Sequence, residues 1–160
     1  MTLVRGLSHV AIVTADLDRL AGFYVDLFDA TVVQIDDTPF GRIGIVRLGP
    51  GSGLNLFEIA GNEHATGLPT MFDRGHLDHF GLDVADAPAF WELRDRLIAG
   101  GHSTGDVTDF GPIIGLDFID PDGMACEVNL IFDPTLAAGH PPIPYDVTSR
   151  CVTPVREEQR

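Results

Sequence analysis

The sequence predicts an α+β fold: two tandem βαβββ modules whose strands form a curled mixed sheet around a cavity. Three observations lead to this prediction. A stretch that begins at His9 is matched 70 residues later by one that begins at His79. An amphipathic segment follows each of these strands, and each half ends in an apolar strand that carries one glutamate, Glu58 or Glu127. A repeat of this kind indicates two copies of one supersecondary unit.

The first module is predicted over residues 7–60. Alternating apolar residues indicate a strand at residues 7–13, and Asp16 is a suitable N-cap for the helix that follows. The helix carries apolar side chains at helical spacing and is expected to end near Ala30. Three further strands follow from β-branched or alternating segments, at residues 31–35, 42–48 and 54–60.

The second module repeats this order over residues 76–132, after a polar linker at residues 61–75. A strand is predicted at residues 76–84, Asp86 caps the helix, and Gly100-Gly101 ends it. Asp120-Pro-Asp-Gly has the composition of a tight turn. The remaining strands are expected at residues 102–107, 113–119 and 124–131.

Residues 1–132 are thus expected to form a single domain, with residues 133–160 as a Pro-rich C-terminal extension. Residues 133–145 contain four prolines, which favour an extended arm.

Composition restricts the possible partners. The chain of 160 residues has a net charge of −14, which disfavours nucleic acid and anionic membranes as partners. Its ten basic residues are all arginine, so a catalytic lysine is excluded. Cys126 lies in an apolar strand and is expected to be a buried thiol, and no zinc-type cysteine spacing occurs. No leader or membrane-spanning stretch is recognisable, so we expect a cytoplasmic protein that binds a small molecule.

The His and Glu residues of the repeat suggest a metal cavity. His9, Glu58, His79 and Glu127 converge if the first and last strands of each module face a shared cavity. Two imidazoles and two carboxylates suit an octahedral or five-coordinate divalent ion, with positions left for water or substrate. A single such His is more often structural, but two His and two Glu in register in a repeat favour a metal site.

These residues resemble a known family. The stretches His9-Val-Ala-Ile-Val, His79-Phe-Gly-Leu-Asp-Val and Asp120-Pro-Asp-Gly-Met-Ala-Cys-Glu127 are similar to those of the vicinal oxygen chelate superfamily. That superfamily includes glyoxalase I, epimerases, extradiol dioxygenases and bleomycin resistance proteins. The resemblance covers about residues 7–132, and the ligand pattern looks most like that of bacterial glyoxalase I.

The resemblance implies a glyoxalase-like lyase or isomerase that uses a divalent ion such as Ni, Co, Zn, Mn or Fe. An enediolate would form when the α-proton leaves, with Glu127 as the proton shuttle and Glu58 as its counterpart. Asn62 matches a position of the family that contacts glutathione. The arginine that accompanies the first His in glyoxalase I has no counterpart near Val13, which argues against glutathione.

Two alternatives stay open at this point. An iron-dependent extradiol dioxygenase would use His9, His79 and Glu127 as a facial triad, although Glu58 would then close a position. A bleomycin-type binding protein would use the cavity as a drug trap. In each case we expect a homodimer. Further side chains that are candidates for the substrate pocket are Phe110, Phe118 and Tyr145.

Overall fold

The computed structural model describes residue 3 and residues 6–65, 71–72, 75–135 and 139–148. These residues form a four-stranded and a five-stranded sheet, each accompanied by one helix, which confirms the α+β, βαβββ prediction. The chain divides into two compact units. The first unit comprises Met1–Pro69 with Asp120–Met124, and the second comprises Thr70–Ile119 with Ala125–Arg160.

The first unit is one mixed sheet with one helix. Its sheet has the order β1-β4-β3-β2, in which β1 runs parallel to β4 and the other pairs are antiparallel. The crossover helix α1 connects β1 to β2. In chain order the elements are β1 (His9–Thr14), α1 (Leu17–Phe28), β2 (Thr31–Thr38), β3 (Gly41–Gly49) and β4 (Ser52–Ile59).

Helix α1 begins and ends where its sequence predicts. The carboxylate of Asp16 accepts a hydrogen bond from the Arg19 amide at 3.0 Å, which satisfies one free donor of the first turn. Asp29 ends the helix in the left-handed conformation, at φ 54°. The apolar stripe packs on β3 and β4 and is buried: Leu17, Leu20, Ala21, Phe23 and Tyr24.

The second unit repeats the arrangement and adds a short edge strand. The sheet order is β5-β8-β7-β6-β9, and β5 runs parallel to β8. The elements are β5 (His79–Asp83), α2 (Ala87–Ala99), β6 (Val107–Asp109), β7 (Ile113–Ile119), β8 (Ala125–Ile131) and β9 (Ile143–Pro144).

Helix α2 has the predicted cap and stop. Asp86 accepts from the Ala89 amide at 2.9 Å, and the helix ends at Gly100. Its buried residues, Ala87, Phe90, Trp91 and Leu97, lie on the same side of the second sheet as Cys126, Val128 and Leu130 of β8. Cys126 is free and buried, as expected.

Three strands differ from the prediction by three residues or more. Strand β5 begins at His79 and not at residue 76. Strand β2 continues to Thr38, because residues 36–38 pair with the start of β3 instead of breaking the strand. The strand expected at residues 102–107 is found only at Val107–Asp109. The Ser103 hydroxyl donates to the Asp117 carbonyl at 2.6 Å and accepts from the Gly105 amide at 3.1 Å, so local turns replace ladder pairing there.

The Asp-Pro-Asp-Gly turn is held by its own carboxylates. Asp120 accepts from the amides of Asp122 at 2.9 Å and of Met124 at 2.8 Å. Asp122 forms an ion pair with Arg19 of α1 within the first unit. Burial, the largest cause, raises the pKa of Asp120 above its ordinary value, although these backbone donors oppose the rise.

Residues 143–144 of the C-terminal extension form an edge strand of the second sheet. Ile143 pairs with Asp109 and Pro144 with Thr108, and the Tyr145 amide donates to the Val107 carbonyl at 2.8 Å. Proline suits an edge position because it cannot donate to a further strand. Within the described residues, neither helix is long and apolar enough to cross a membrane.

Candidate metal centre

His79 and Glu127 lie side by side on the face of the second sheet that points away from α2. His79 pairs with Ala125, and Glu127 pairs with Gly81, two residues further along the parallel strands. The two side chains are therefore offset by about 7 Å along the strands and share a face. Their role as metal ligands stays a prediction.

The His79 ring is oriented by the residue before it. Its Nδ1 donates to the Asp78 carboxylate at 2.8 Å, which leaves Nε2 available to a ligand. A carboxylate on the far nitrogen of a metal-binding His fixes its tautomer and raises its basicity. The sequence signal for this pair was the dipeptide Asp78-His79 itself, and the sequence-based reasoning did not use it.

The Glu127 carboxylate lies between two glycines. A Cβ at Gly115 of β7 would meet Glu127 Oε1, and a Cβ at Gly81 of β5 would come within 3.8 Å of Oε2. The Asn129 amide donates to Oε2 at 3.0 Å. Gly115 thus leaves the space that this carboxylate occupies, and Gly81 leaves the space for the Asn129 amide, which a Cβ would meet at 2.6 Å. Asn129 in turn fixes the orientation of the carboxylate.

A second carboxylate, Asp117, stands directly across from Glu127 on β7. Like charges at opposed positions of antiparallel strands repel each other, and a cation bound beside them would relieve that repulsion. Burial raises the pKa of Asp117, and the nearby His79 opposes the rise. The sequence-based reasoning missed Asp117; the pairing of β7 with β8 identifies it.

In the first unit, His9 lies on the sheet face that points away from α1. Its Nδ1 is 3.0 Å from the Ser8 hydroxyl, so Nε2 is again left available. Ser8-His9 therefore corresponds to Asp78-His79 in the repeat. His9 pairs with Gly53, and Asn55 is the next β4 residue on the same face, opposite Ala11.

Glu58 does not accompany His9, contrary to the expectation. Glu58 pairs with Thr14, five residues along β1 from His9, which corresponds to about 16 Å. Side chains on a strand alternate between faces, so Glu58 lies on the helix side with the buried Leu54 and Leu56. There it accepts from the Leu17 amide at 2.9 Å and pairs with Arg42 at 3.5 Å.

The expected pocket residues have different surroundings within their own units. Asn62 lies with Glu58 and Arg42 around a cavity of about 300 Å³ in the first unit, and its Oδ1 accepts from the His64 amide at 2.8 Å. Phe118 is 1% exposed and shares the helix side of the second sheet with Cys126, so it is a core residue. Tyr145 packs on Trp91 of α2, with ring centroids 5.9 Å apart. Phe110 lies in the turn between β6 and β7.

In the described part of the chain, no three His, Cys, Asp or Glu side chains are close enough to hold an ion. His9 belongs to the first unit, and His79 and Glu127 to the second. Divalent transition metals nonetheless prefer donors of these kinds: imidazole rings whose Nε2 is available, and a carboxylate in a glycine-lined space. The residues fit such an ion, and the full ligand set stays a prediction.

Comparison with known proteins identifies the family. Residues 6–128 match the model of the Glyoxalase/Bleomycin resistance protein/Dioxygenase superfamily. A 2-epi-5-epi-valiolone epimerase from Actinomyces sp. is 34% identical over 142 residues, which cover 75% of this chain and 76% of the relative.

Solved structures agree on the fold. A glyoxalase/bleomycin resistance protein/dioxygenase domain from Frankia sp. superposes with a TM-score of 0.70 at 24% identity, covering 82% of this chain and 95% of the other. The trypanothione-dependent glyoxalase I of Leishmania major gives 0.55 at 22% identity, covering 78% and 86%. With its matched family model and its epimerase relative, the chain belongs to the glyoxalase/bleomycin resistance protein/dioxygenase superfamily, the vicinal oxygen chelate superfamily.

Proposed function

We propose that the protein is a divalent-metal-dependent isomerase that moves a proton at a carbon next to a carbonyl. The observation that carries the proposal is the pair His79 and Glu127, one oriented by Asp78 and the other held in a glycine-lined space. The superfamily is largely enzymatic, and the epimerase relative favours an isomerase over a lyase.

Glu127 is the proposed base. It would accept the proton of the carbon next to the carbonyl while the electron pair of the C–H bond moves towards the carbonyl oxygen. A proton from solvent then adds to the other face of the carbon, the electron pair returns from the oxygen to form the new C–H bond, and Glu127 releases its proton to solvent, so that the centre is inverted. A divalent ion, when bound, supplies the Lewis acidity that stabilises negative charge on the substrate oxygen. Asn129 holds the carboxylate through its Oε2, so the position of the base does not depend on the substrate.

His9 is proposed as a further donor to the ion, because Ser8-His9 heads the first repeat as Asp78-His79 heads the second. We also propose a homodimer, as the family resemblance implies. For the substrate we propose a small molecule with adjacent oxygens, of the class of 2-epi-5-epi-valiolone, which the name of the relative gives.

The test measures metal content and proton exchange together. The purified protein is analysed for bound divalent ions and then incubated in D₂O with 2-epi-5-epi-valiolone, and NMR follows deuterium entry and inversion. We expect exchange in the native protein and a loss of at least about 10²-fold in Glu127→Gln, which keeps an oxygen donor but not the base. His79→Ala should lose the ion.

Three other outcomes would each count against the proposal. Conversion of the hemithioacetal of methylglyoxal and glutathione, without inversion of the ketone, would indicate a glyoxalase. Oxygen uptake with a catechol would indicate a ring-cleaving dioxygenase. Tight binding of bleomycin without any proton exchange would indicate a resistance protein.

A further inference from the structure

We propose that Asp117 is a substrate-binding residue, which accepts a hydrogen bond from a hydroxyl group of the substrate. It thereby selects a neutral hydroxyketone over a substrate that has an anionic group at this place. The inference rests on the proposed function, because it assigns the specificity of the same site. All the residues that carry it belong to the second unit.

Asp117 shares a face of the second sheet with His79 and Glu127. It is the β7 residue that pairs with Glu127 of β8, and Glu127 in turn pairs with Gly81 of β5, two residues beyond His79. The Cβ atoms of directly opposed residues in an antiparallel pair lie about 5 Å apart. A molecule that reaches the Glu127 carboxylate therefore also comes within reach of Asp117.

The two carboxylates occupy different places on this face. Glu127 extends over Gly115, where a Cβ would meet its Oε1. Gly115 is two residues from Asp117, about 7 Å along β7, so the carboxylates stand on the order of 5–7 Å apart. One small ring spans this separation, with a C–H bond at Glu127 and a hydroxyl at Asp117. On the same face, Ile119 is 45% exposed and offers an apolar surface to the ring carbons.

The Asp117 carboxylate has acceptors to offer to a ligand. The residue is exposed, and within the described ranges no protein group donates a hydrogen bond to its side chain, whereas Glu127 accepts from the Asn129 amide. An ionised carboxylate can only accept, so its ligand must be a donor. A substrate hydroxyl meets this need, and its bond to a charged acceptor is stronger than one between neutral groups.

The charges on this face oppose an anionic substrate. Asp83, Asp117 and Glu127 all lie on it. In the described part of the second unit the arginines are Arg94 and Arg96, and both belong to α2, on the opposite side of the sheet. Like charges repel each other most where water is partly excluded. A phosphate or carboxylate group at Asp117 is therefore disfavoured, and a hydroxyl is bound.

Steady-state kinetics of the purified holo protein test the hydrogen bond. Deuterium exchange in 2-epi-5-epi-valiolone over a range of concentrations gives kcat and KM. Asp117→Ala should lower kcat/KM by about 10-fold or more, mainly through a higher KM, because the hydroxyl is bound both in the ground state and in the transition state. Asp26→Asn removes one charge from the exposed side of α1, so it is the control for net charge and should leave both constants unchanged.

Two substrate series make the test specific. Single-deoxy analogues of the ketone identify the hydroxyl: its removal should impair the native protein but not Asp117→Ala. Phosphate monoesters of the ketone test the charge, and the native protein should prefer the free ketone. Asp117→Asn keeps an acceptor oxygen and removes the charge, so this preference should fall by about 10-fold or more.

Metal content and thermal melts of each variant are measured first. A loss of the divalent ion in Asp117→Asn would show that Asp117 acts on the ion, and the assignment would be wrong. If Asp117→Ala does not fold, Asp117→Asn, which has the same shape, carries the test through the charge series.

The remaining outcomes separate the two proposals. If the native protein inverts the ketone and the folded Asp117 variants have native kcat/KM and native preference, the assignment is wrong and the proposed function stands. Preference of the native protein for a phosphate monoester also overturns the assignment alone. If the native protein exchanges no proton in any of these ketones, both proposals fail.

Discussion

Glu58 stabilises the start of helix α1 through its carboxylate. It accepts from the Leu17 amide at 2.9 Å, one of the donors that a helix N-terminus leaves free. It also belongs to a group of carboxylates around Arg42, whose guanidinium binds Asp18 through two contacts of 2.8 and 3.0 Å. The hydrogen bonds from Arg42 lower the pKa of Asp18. A carboxylate in a largely apolar strand therefore need not be a metal ligand when a helix end lies beside it.

Glu58→Ala should lower the free energy of unfolding by about 1–2 kcal/mol, because the Leu17 amide loses its acceptor and the partly exposed Arg42 pair adds little. Urea denaturation of the apo protein measures this loss. Glu92→Ala is the control: it breaks an exposed i,i+4 pair with Arg96 on α2 and should cost less than about 0.5 kcal/mol. Equal losses in the two variants would contradict the role assigned to Glu58.

The carboxyl group of Asp120 should make the free energy of unfolding depend on pH. Its folded pKa is raised above the ordinary value of 3.8, so ionisation of this group weakens the folded state. Its contribution is most favourable below pH 3.8, declines as pH rises through the folded pKa and is constant above it. Asp120→Asn keeps the acceptor oxygen and removes the ionisation.

The stability of Asp120→Asn relative to the native protein should therefore increase with pH over this window and then level off. Urea midpoints measured from pH 3 upwards test this. Asp120→Ala loses the acceptor at every pH and should be less stable throughout. A difference between Asp120→Asn and the native protein that does not vary with pH would show that burial does not control this carboxyl.

Among the elements, the C-terminal strand β9 has a role that its sequence does not reveal. It extends the second sheet at β6, and the residue after it, Tyr145, covers the ring of Trp91. An extended arm was expected from its prolines, but the chain alone does not say which edge it pairs with. Tyr145 thus lies against helix α2 and not on the face that holds His79.

Tyr145→Ala should expose Trp91, which is 7% exposed in the folded chain. Because this is the single tryptophan of the sequence, its emission should shift to longer wavelength without interference from other rings. The lost ring contact should cost about 0.5–1.5 kcal/mol beyond the area that it buries. Tyr145→Phe keeps the ring and should leave the spectrum as it is; a similar shift in both variants would point to the hydroxyl instead.

For the whole molecule, charge is the dominant long-range property. With 24 acidic and 10 basic residues, repulsion between carboxylates outweighs the surface ion pairs. Salt shortens the range of this repulsion from about 30 Å at 0.01 M to about 8 Å at 0.15 M. The free energy of unfolding should therefore rise with NaCl at pH 7.

The matched measurement repeats the salt series near pH 4.5, the isoelectric point of the sequence. There the net repulsion is small, and the effect of salt should nearly vanish. If salt lowers the stability at pH 7, specific ion pairs, and not the net charge, control the electrostatics of the fold.

The sequence by itself determined much of the architecture. The spacing of apolar residues, the aspartate N-caps and the glycines that end α2 are local signals. They predicted both helices, the repeat of the two modules and the strand at Ile113–Ile119. The sequence also singled out His79 and Glu127, which share one face of the second sheet because Glu127 lies two residues beyond the partner of His79 in the same parallel pair. Their role as metal ligands stays a prediction.

Only the tertiary structure decided which β4 residue accompanies His9. The repeat pointed to Glu58 because the two His–Glu separations are nearly equal along the chain, 49 and 48 residues. Loop lengths contribute to such a separation, whereas strand register decides which side chains are neighbours. A shift of one residue moves a side chain to the other face. Pairing of Asn55 with Ala11 places an amide on the face of His9 and leaves Glu58 at the start of α1.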